Sequence, residues 1–280
     1  MAQFTNQAQL SYNNIVTVSN VAVGEIQDVL SISKTAVKDV YKANDTITYV
    51  INIINSGNTE LNNLTLTDSL GEYTFGETKL TPLTYVDNTL RYFKNNILQA
   101  QPTVTAGDTL VISGFSVPAG GAVTFVYETR INQFAPLESE SQITNTALLT
   151  GNLTSVTTTS TVKASSEPDL SITKSVSPIP VMENGTVTYT FVIMNYGNTP
   201  VTQGAVITDV FNPVLSNITA SYNDTSWVQG TDFTYDSTAG IFITLPNKVT
   251  VPEAEYSQDT ETGIVTVTPG TSTLVITGTI

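Results

Sequence analysis

The chain has no cysteine and no histidine. Without cysteine there is no disulfide and no thiol nucleophile. Without histidine, the commonest general base and the usual zinc and haem ligand are missing as well. No cofactor and no metal site are expected. Basic residues are scarce, 10 against 24 acidic ones, for a formal net charge of -14. That balance repels nucleic acid and anionic membranes and keeps a long assembly in solution. No apolar run approaches the roughly 18 residues needed to cross a bilayer, and the N-terminus lacks the charged and apolar regions of a secretory signal. Membrane insertion is therefore not expected, and the sequence shows no export signal. Helical periodicity is absent too.

What is present is an abundance of Thr, Val, Ile and Asn in short alternating runs broken by Gly, Pro and Asn. That is the pattern of an all-β sandwich protein. At 280 residues the chain has room for about two domains of roughly 150 residues each. Internal repeats support that count. Leu30-x-Ile32-x-Lys34 recurs as Leu170-x-Ile172-x-Lys174, and each places a lysine on the apolar face of an opening strand. Strands led by Asn44-Asp45 and Asn184-Gly185 place Ile47, Tyr49, Ile51, Ile53 and Val187, Tyr189, Phe191, Ile193 inward. They end in Asn55-Ser56-Gly57-Asn58-Thr59 and Asn195-Tyr196-Gly197-Asn198-Thr199, where glycine is expected to supply the positive φ of a hairpin turn. Leu64-Thr65-Leu66-Thr67-Asp68 corresponds to Ala205-Val206-Ile207-Thr208-Asp209, so an acid continues the apolar parity in both copies. Gly121 to Tyr127 then aligns with Gly270 to Ile276, which sets Glu128 against Thr277; a competing register pairs Thr109 to Gly114 with Thr273 to Gly278 and leaves two strands missing instead of one. The middle of each domain diverges, with extra residues near Trp227 and Tyr256 in the second. Trp227 reads as packing.

One element breaks the tandem order. Ile143-Thr144-Asn145-Thr146-Ala147-Leu148-Leu149 follows the first repeat, and its match, Phe4-Thr5-Asn6-Gln7-Ala8-Gln9-Leu10, lies at the N-terminus. Alternation puts Phe4, Asn6, Ala8 and Leu10 on one face, as it does Ile143, Asn145, Ala147 and Leu149. After Ile280 no such strand follows the second repeat. The expected layout is therefore a donor strand and linker at 1–24, a complete domain at 25–163, and a domain at 164–280 that lacks its final strand. Asn6 precedes Lys34 by 28 residues and Asn145 precedes Lys174 by 29. Molecules joined head to tail should then repeat the interdomain joint at 164–168 at every step.

The Leu-x-Ile-x-Lys openings, the tyrosine-bearing strands ending in Gly-Asn-Thr, the Thr-Asp pairs and Ile-Thr-Asn-Thr-Ala resemble the bacterial "conserved repeat domain" family. Its members are Ig-like sandwiches repeated in long cell-surface proteins, and the resemblance covers nearly the whole chain twice. It implies two tandem Ig-like domains and an isopeptide link between the first-strand lysine and the last-strand asparagine. Here that falls on Lys34 with Asn145. Lys174 lacks such an asparagine in its own domain, and Asn6 of another molecule is the match. The residue types support this chemistry. Burial lowers a lysine pKa toward the nucleophilic amine and raises that of a carboxyl, so Asp68 or Asp209 could polarise the amide and relay a proton to the departing ammonia. The opposing reading is a buried Lys–Asp ion pair with the asparagine merely hydrogen-bonded to it.

The expected function is a structural subunit of an extracellular bacterial filament or appendage on a cell or spore surface. The partner would be another copy of the chain, held by a donated strand whose Phe4, Ala8 and Leu10 fill the open groove, and an anchor or surface ligand of unspecified kind is left open. The rival is a monomeric two-domain adhesin or stalk. An enzyme with an external substrate is disfavoured, because no acid pair stands out and histidine and cysteine are missing.

Overall fold

The computed structural model describes residues 2–26, 29–151 and 154–280. Among them there is no helix. The N-terminal segment forms β1 (Ala2–Asn6), β2 (Gln9–Tyr12), β3 (Ile15–Val18) and β4 (Ala22–Ile26). The first sandwich begins with β5 (Leu30–Ala36), β6 (Val40–Tyr41), β7 (Thr46–Asn55), β8 (Leu61–Asp68), β9 (Tyr73–Phe75), β10 (Thr78–Leu80) and β11 (Leu83–Tyr85). It continues with β12 (Arg91–Lys94), β13 (Ile97–Gln99), β14 (Thr103–Ala106), β15 (Leu110–Val117), β16 (Ala122–Ile131), β17 (Gln142–Gly151) and β18 (Thr154–Ala164). The second holds β19 (Leu170–Ser177), β20 (Thr186–Asn195), β21 (Thr208–Val210), β22 (Ser216–Tyr222) and β23 (Thr225–Trp227). Its remaining strands are β24 (Phe233–Asp236), β25 (Ile241–Thr244), β26 (Glu255–Gln258), β27 (Val265–Thr268) and β28 (Gly270–Thr279).

The molecule is two Ig-like sandwiches in series, each with its own apolar core. In the first, one sheet runs β13-β12-β16-β7-β5 and the other β14-β15-β8-β17-β18-β6. Period-two alternation builds the interior. Ile47, Tyr49, Ile51 and Ile53 of β7 are fully buried, and so are Val123, Phe125 and Tyr127 of the neighbouring β16. The second sandwich repeats the first sheet as β19-β20-β28-β22-β23 and part of the other as β21-β25-β24. Among the described residues, nothing in it takes the places of β17 and β18. The uncovered position is therefore two strands wide, not the single strand expected. The cause is that β17 and β18 pair along their length, from Gln142 with Lys163 to Gly151 with Thr154, and lie together in the sheet.

Two other expectations change. Gly57 and Gly197 are not among the residues with positive φ. Asn55 and Asn195 make these turns instead. Each is fully buried, accepts from the glycine N–H through Oδ1 at 3.0 and 2.9 Å, and donates through Nδ2 to the carbonyl of Thr59 or Thr199 at 2.8 Å. Glycine serves close approach there: a Cβ on Gly197 would lie 2.2 Å from the Glu167 carbonyl oxygen.

The joint between the sandwiches is also not repeatable as it stands. Pro118 and Pro252 occupy equivalent positions, each accepting from the buried asparagine at 3.0 Å. In the first domain the chain then turns through Gly120 and Gly121 directly into β16. In the second, β26 and β27 are inserted at that place and reach back to the first domain. Tyr256, Val265 and Val267 pack on its core, Gln258 donates to the Tyr73 hydroxyl at 2.8 Å, and Val265 N–H donates to the Gln133 carbonyl at 2.8 Å. Among the described residues, the first domain has no hairpin inserted between Pro118 and β16.

Candidate crosslinking site and its uncovered counterpart

In the first domain β5, β8, β16 and β17 converge on one buried polar cluster. Lys34 and Asp68 share inward parity with apolar neighbours, and both side chains are sealed from solvent. Lys34 Nζ donates to Asp68 Oδ2 at 2.5 Å and lies 4.7 Å above the Tyr49 ring. The Tyr127 hydroxyl donates to the same Oδ2, and Leu70 N–H donates to Oδ1 at 2.9 Å. Burial lowers the Lys34 pKa from 10.5 to about 8, although Asp68 pulls it the other way. At pH 7 a pKa near 8 leaves roughly a tenth of the amine neutral, against less than a thousandth for an exposed lysine. Burial pushes the Tyr49 and Tyr127 hydroxyls above their ordinary range, and the Asp68 charge adds to both shifts.

Asn145 reaches the cluster from β17, whose Ala147 pairs with Asp68 across the sheet. It is fully buried. Its carbonyl oxygen accepts from Gly71 N–H at 3.1 Å and from the Ser69 hydroxyl at 3.4 Å. Neither its amide nitrogen nor the Tyr49 hydroxyl makes a well-formed hydrogen bond, although the Asn145 side chain interacts with that hydroxyl and partly offsets the rise of its pKa. A buried amide nitrogen without a well-placed acceptor calls for a reason. One whose carbonyl is held by two donors is set up to develop charge on oxygen and to release nitrogen. The geometry thus assigns the hold on the amide carbonyl to Gly71 and Ser69, while Asp68 holds Lys34 and Tyr127. Ser69 directly follows the aspartate, and Tyr127 continues the parity of Val123 and Phe125, so sequence alone reads them as turn and core.

The second domain repeats half of this. Lys174 Nζ donates to Asp209 Oδ2 at 2.5 Å and lies 4.7 Å above the Tyr189 ring, with Phe191 and Phe211 also beside it. Yet the Lys174 side chain is 39% exposed where that of Lys34 is 0%. Leu170 and Ile172 beside it are 47% and 53% exposed. In the first domain that face is covered by β17 and β18. Tyr127 has Ile276 as its counterpart, since the two pair with the equivalent Tyr49 and Tyr189. Val210 stands where Ser69 stands.

Asn6, Phe4, Ala8 and Leu10 lie on β1, β2 and their connection, which pair with β4 and β3 and with no strand of either sandwich. Phe4 and Leu10 are 55% and 65% exposed, and Asn6 and Ala8 are exposed as well. Trp227 stacks on Tyr222 with ring centroids 4.8 Å apart, against the second core.

No family model matches the chain, and no curated protein does. Among solved structures it is similar to the major pilin subunit of Bacillus cereus (12% identity, TM-score 0.37, covering 96% of this chain and 73% of that one). It is also similar to the pilus backbone of Streptococcus pneumoniae (11%, 0.36, 86% and 55%) and to the collagen adhesin of S. aureus (9%, 0.31, 53% and 55%). Scores of this size describe a shared all-β layout and nothing more. This chain spans 55% of the pneumococcal chain and 55% of the staphylococcal one.

Proposed function

We propose that the protein is the structural subunit of an extracellular bacterial filament on a cell or spore surface, assembling head to tail by strand donation. One observation carries the reading. The lysine face that β17 and β18 seal in the first sandwich is open in the second, while a segment with the pattern of β17 is exposed at the N-terminus. Inserted beside β21 of another copy, that segment pairs free backbone groups, and Phe4, Ala8 and Leu10 enter the groove. Burying Phe4 and Leu10 stabilises the contact by about 1.5–3 kcal/mol each. A heterologous contact of this kind propagates an open fibre.

Within domain one, Lys34 and Asn145 join in a single-turnover reaction. The neutral Nζ attacks Asn145 Cγ, the Nζ–Cγ bond forms, the Cγ–Nδ2 bond breaks, and ammonia leaves with a proton given up by Nζ. Asp68 relays that proton, with Tyr127 holding its carboxylate. Lys174 and Asn6 of a neighbouring copy, assisted by Asp209, are the corresponding pair between subunits. Neither reaction requires a metal or cofactor. The test is electron microscopy of purified protein with and without residues 1–20: filaments are expected from the full chain and none from the truncated one. Filaments of unchanged pitch from the truncated chain overturn strand donation.

A further inference from the structure

Resting on that strand-donation reading, we infer that what enters the second domain of a neighbouring copy is a two-stranded hairpin, residues 2–26, whose second half lies against β19. The register is the first argument. β2 pairs with β3 as Gln9 with Val18 and Tyr12 with Ile15. Moved along the sequence by the 139 residues that separate Asn6 from Asn145, these pairs become Leu148 with Thr157 and Gly151 with Thr154, which are pairs of the β17–β18 hairpin. β1 and β4 continue the ladder one residue out of step, Asn6 opposite Ala22 and Phe4 opposite Gly24, as a bulge allows. The N-terminal segment is thus already folded as the element that domain two lacks.

The second argument is which strand does the covering. In domain one β17 bonds to β8, whereas β18 lies along β5, where Ser160 Oγ accepts from Ala36 N–H at 3.1 Å. A single donated strand would therefore occupy the edge of β21 and leave Leu170, Ile172 and Lys174 open. Composition agrees: residues 1–24 carry no charged side chain in a chain of net charge -14, and residues 142–162 carry none either. Apolar side chains are exposed along both halves, with Leu10 and Tyr12 on one strand and Ile15, Val16 and Val18 on the other. A free two-stranded ribbon is marginal by itself. Small residues, Ala22 and Gly24, stand opposite Asn6 and Phe4, and a Cβ on Gly24 would lie 2.3 Å from the Phe4 ring.

The absence of native cysteine makes the test direct. In the full chain, Gln9→Cys combined with Thr208→Cys recreates between copies the Leu148–Thr67 pair of domain one. Ile172→Cys separately reports on the β19 face by maleimide labelling of assembled and dissociated protein. The expected result is an intersubunit disulfide for the double variant and labelling of Cys at 172 slowed roughly tenfold or more in filaments. A disulfide with unslowed labelling means that one strand enters, which overturns the hairpin and leaves strand donation standing. Filaments of the double variant that form no disulfide overturn strand donation and the hairpin with it.

Discussion

Lys34 and Asp68 meet at 2.5 Å with both side chains closed to solvent, and Lys174 and Asp209 meet at the same distance with the lysine in the open. The two sites differ first in the covering hairpin, and then in the donors around the carboxylate, with Ile276 standing where Tyr127 stands. A buried ion pair gains little over its desolvation cost. Lys34 carries a lowered pKa for that reason. The cost makes sense if the ammonium is the precursor of a neutral nucleophile.

A crosslink in domain one predicts that the intact folded chain has a mass short by one ammonia. Asn145→Ala and Asp68→Asn should show the full mass. Tyr127→Phe removes a donor from the buried Asp68 and should slow ammonia loss rather than abolish it, with destabilisation of about 1–3 kcal/mol. A wild-type chain of full mass overturns the bond.

The lowered Lys34 pKa also predicts a pH dependence in Asn145→Ala, where the lysine stays free. Between its folded pKa of about 8 and the ordinary 10.5, the unfolded state binds more protons, so stability rises with pH. From pH 8 to 10 this group should contribute on the order of 2 kcal/mol. Above about pH 9 the trend reverses, since unfolded tyrosines ionise before Tyr41, Tyr49, Tyr127 and the other buried tyrosines do. Urea unfolding of the variant at pH 7, 8, 8.5 and 9 reads the slope; a flat or falling midpoint between 8 and 9 contradicts it.

Much of this was legible in the residues. Strict alternation from Ile47 to Ile53 marks a core strand, and the parity of Lys34 and Asp68 marks inward charges. Asn145 follows the same rule. Parity says which way a side chain points but not what covers it, so Lys174 reads like Lys34 although one is open and the other sealed. Ile15 to Asn20 reads as a β-rich run, but its small and β-branched residues show no one-sided pattern, so its pairing with β2 is not legible. The extra residues near Tyr256 are legible as an insertion, but alternation in Val265 and Val267 does not say that they pack on the other domain.

That insertion predicts two unlike joints. Within a molecule, Tyr256, Val265 and Val267 clamp domain two to domain one. Val267→Asp should place a charge against that core, loosen the joint, and expose 164–168 to limited proteolysis while both domains stay folded. In filaments, bends should concentrate at every second joint, the one between subunits. Uniform curvature at all joints in electron micrographs contradicts the asymmetry.

The last prediction concerns the bond between Lys174 and Asn6 of the next subunit. A docked strand alone is tight enough to hold a fibre together, so assembly does not report on the bond. Resistance to unfolding does. Boiling in detergent removes hydrogen bonds and apolar burial but leaves an amide, so wild-type filaments should run as a ladder of multimers on a denaturing gel. Asn6→Ala keeps Phe4, Ala8 and Leu10, and should assemble yet collapse to monomers on boiling. Lys174→Ala should do the same, with weaker assembly because its stem is lost from the packing. The site between subunits has Ile276 for Tyr127 and Val210 for Ser69, so its carboxylate and its amide each lack a donor present in domain one. The ladder should therefore develop more slowly after assembly than the ammonia loss within domain one. Filaments that dissolve wholly to monomers after long incubation would show that strand insertion holds the fibre without a bond.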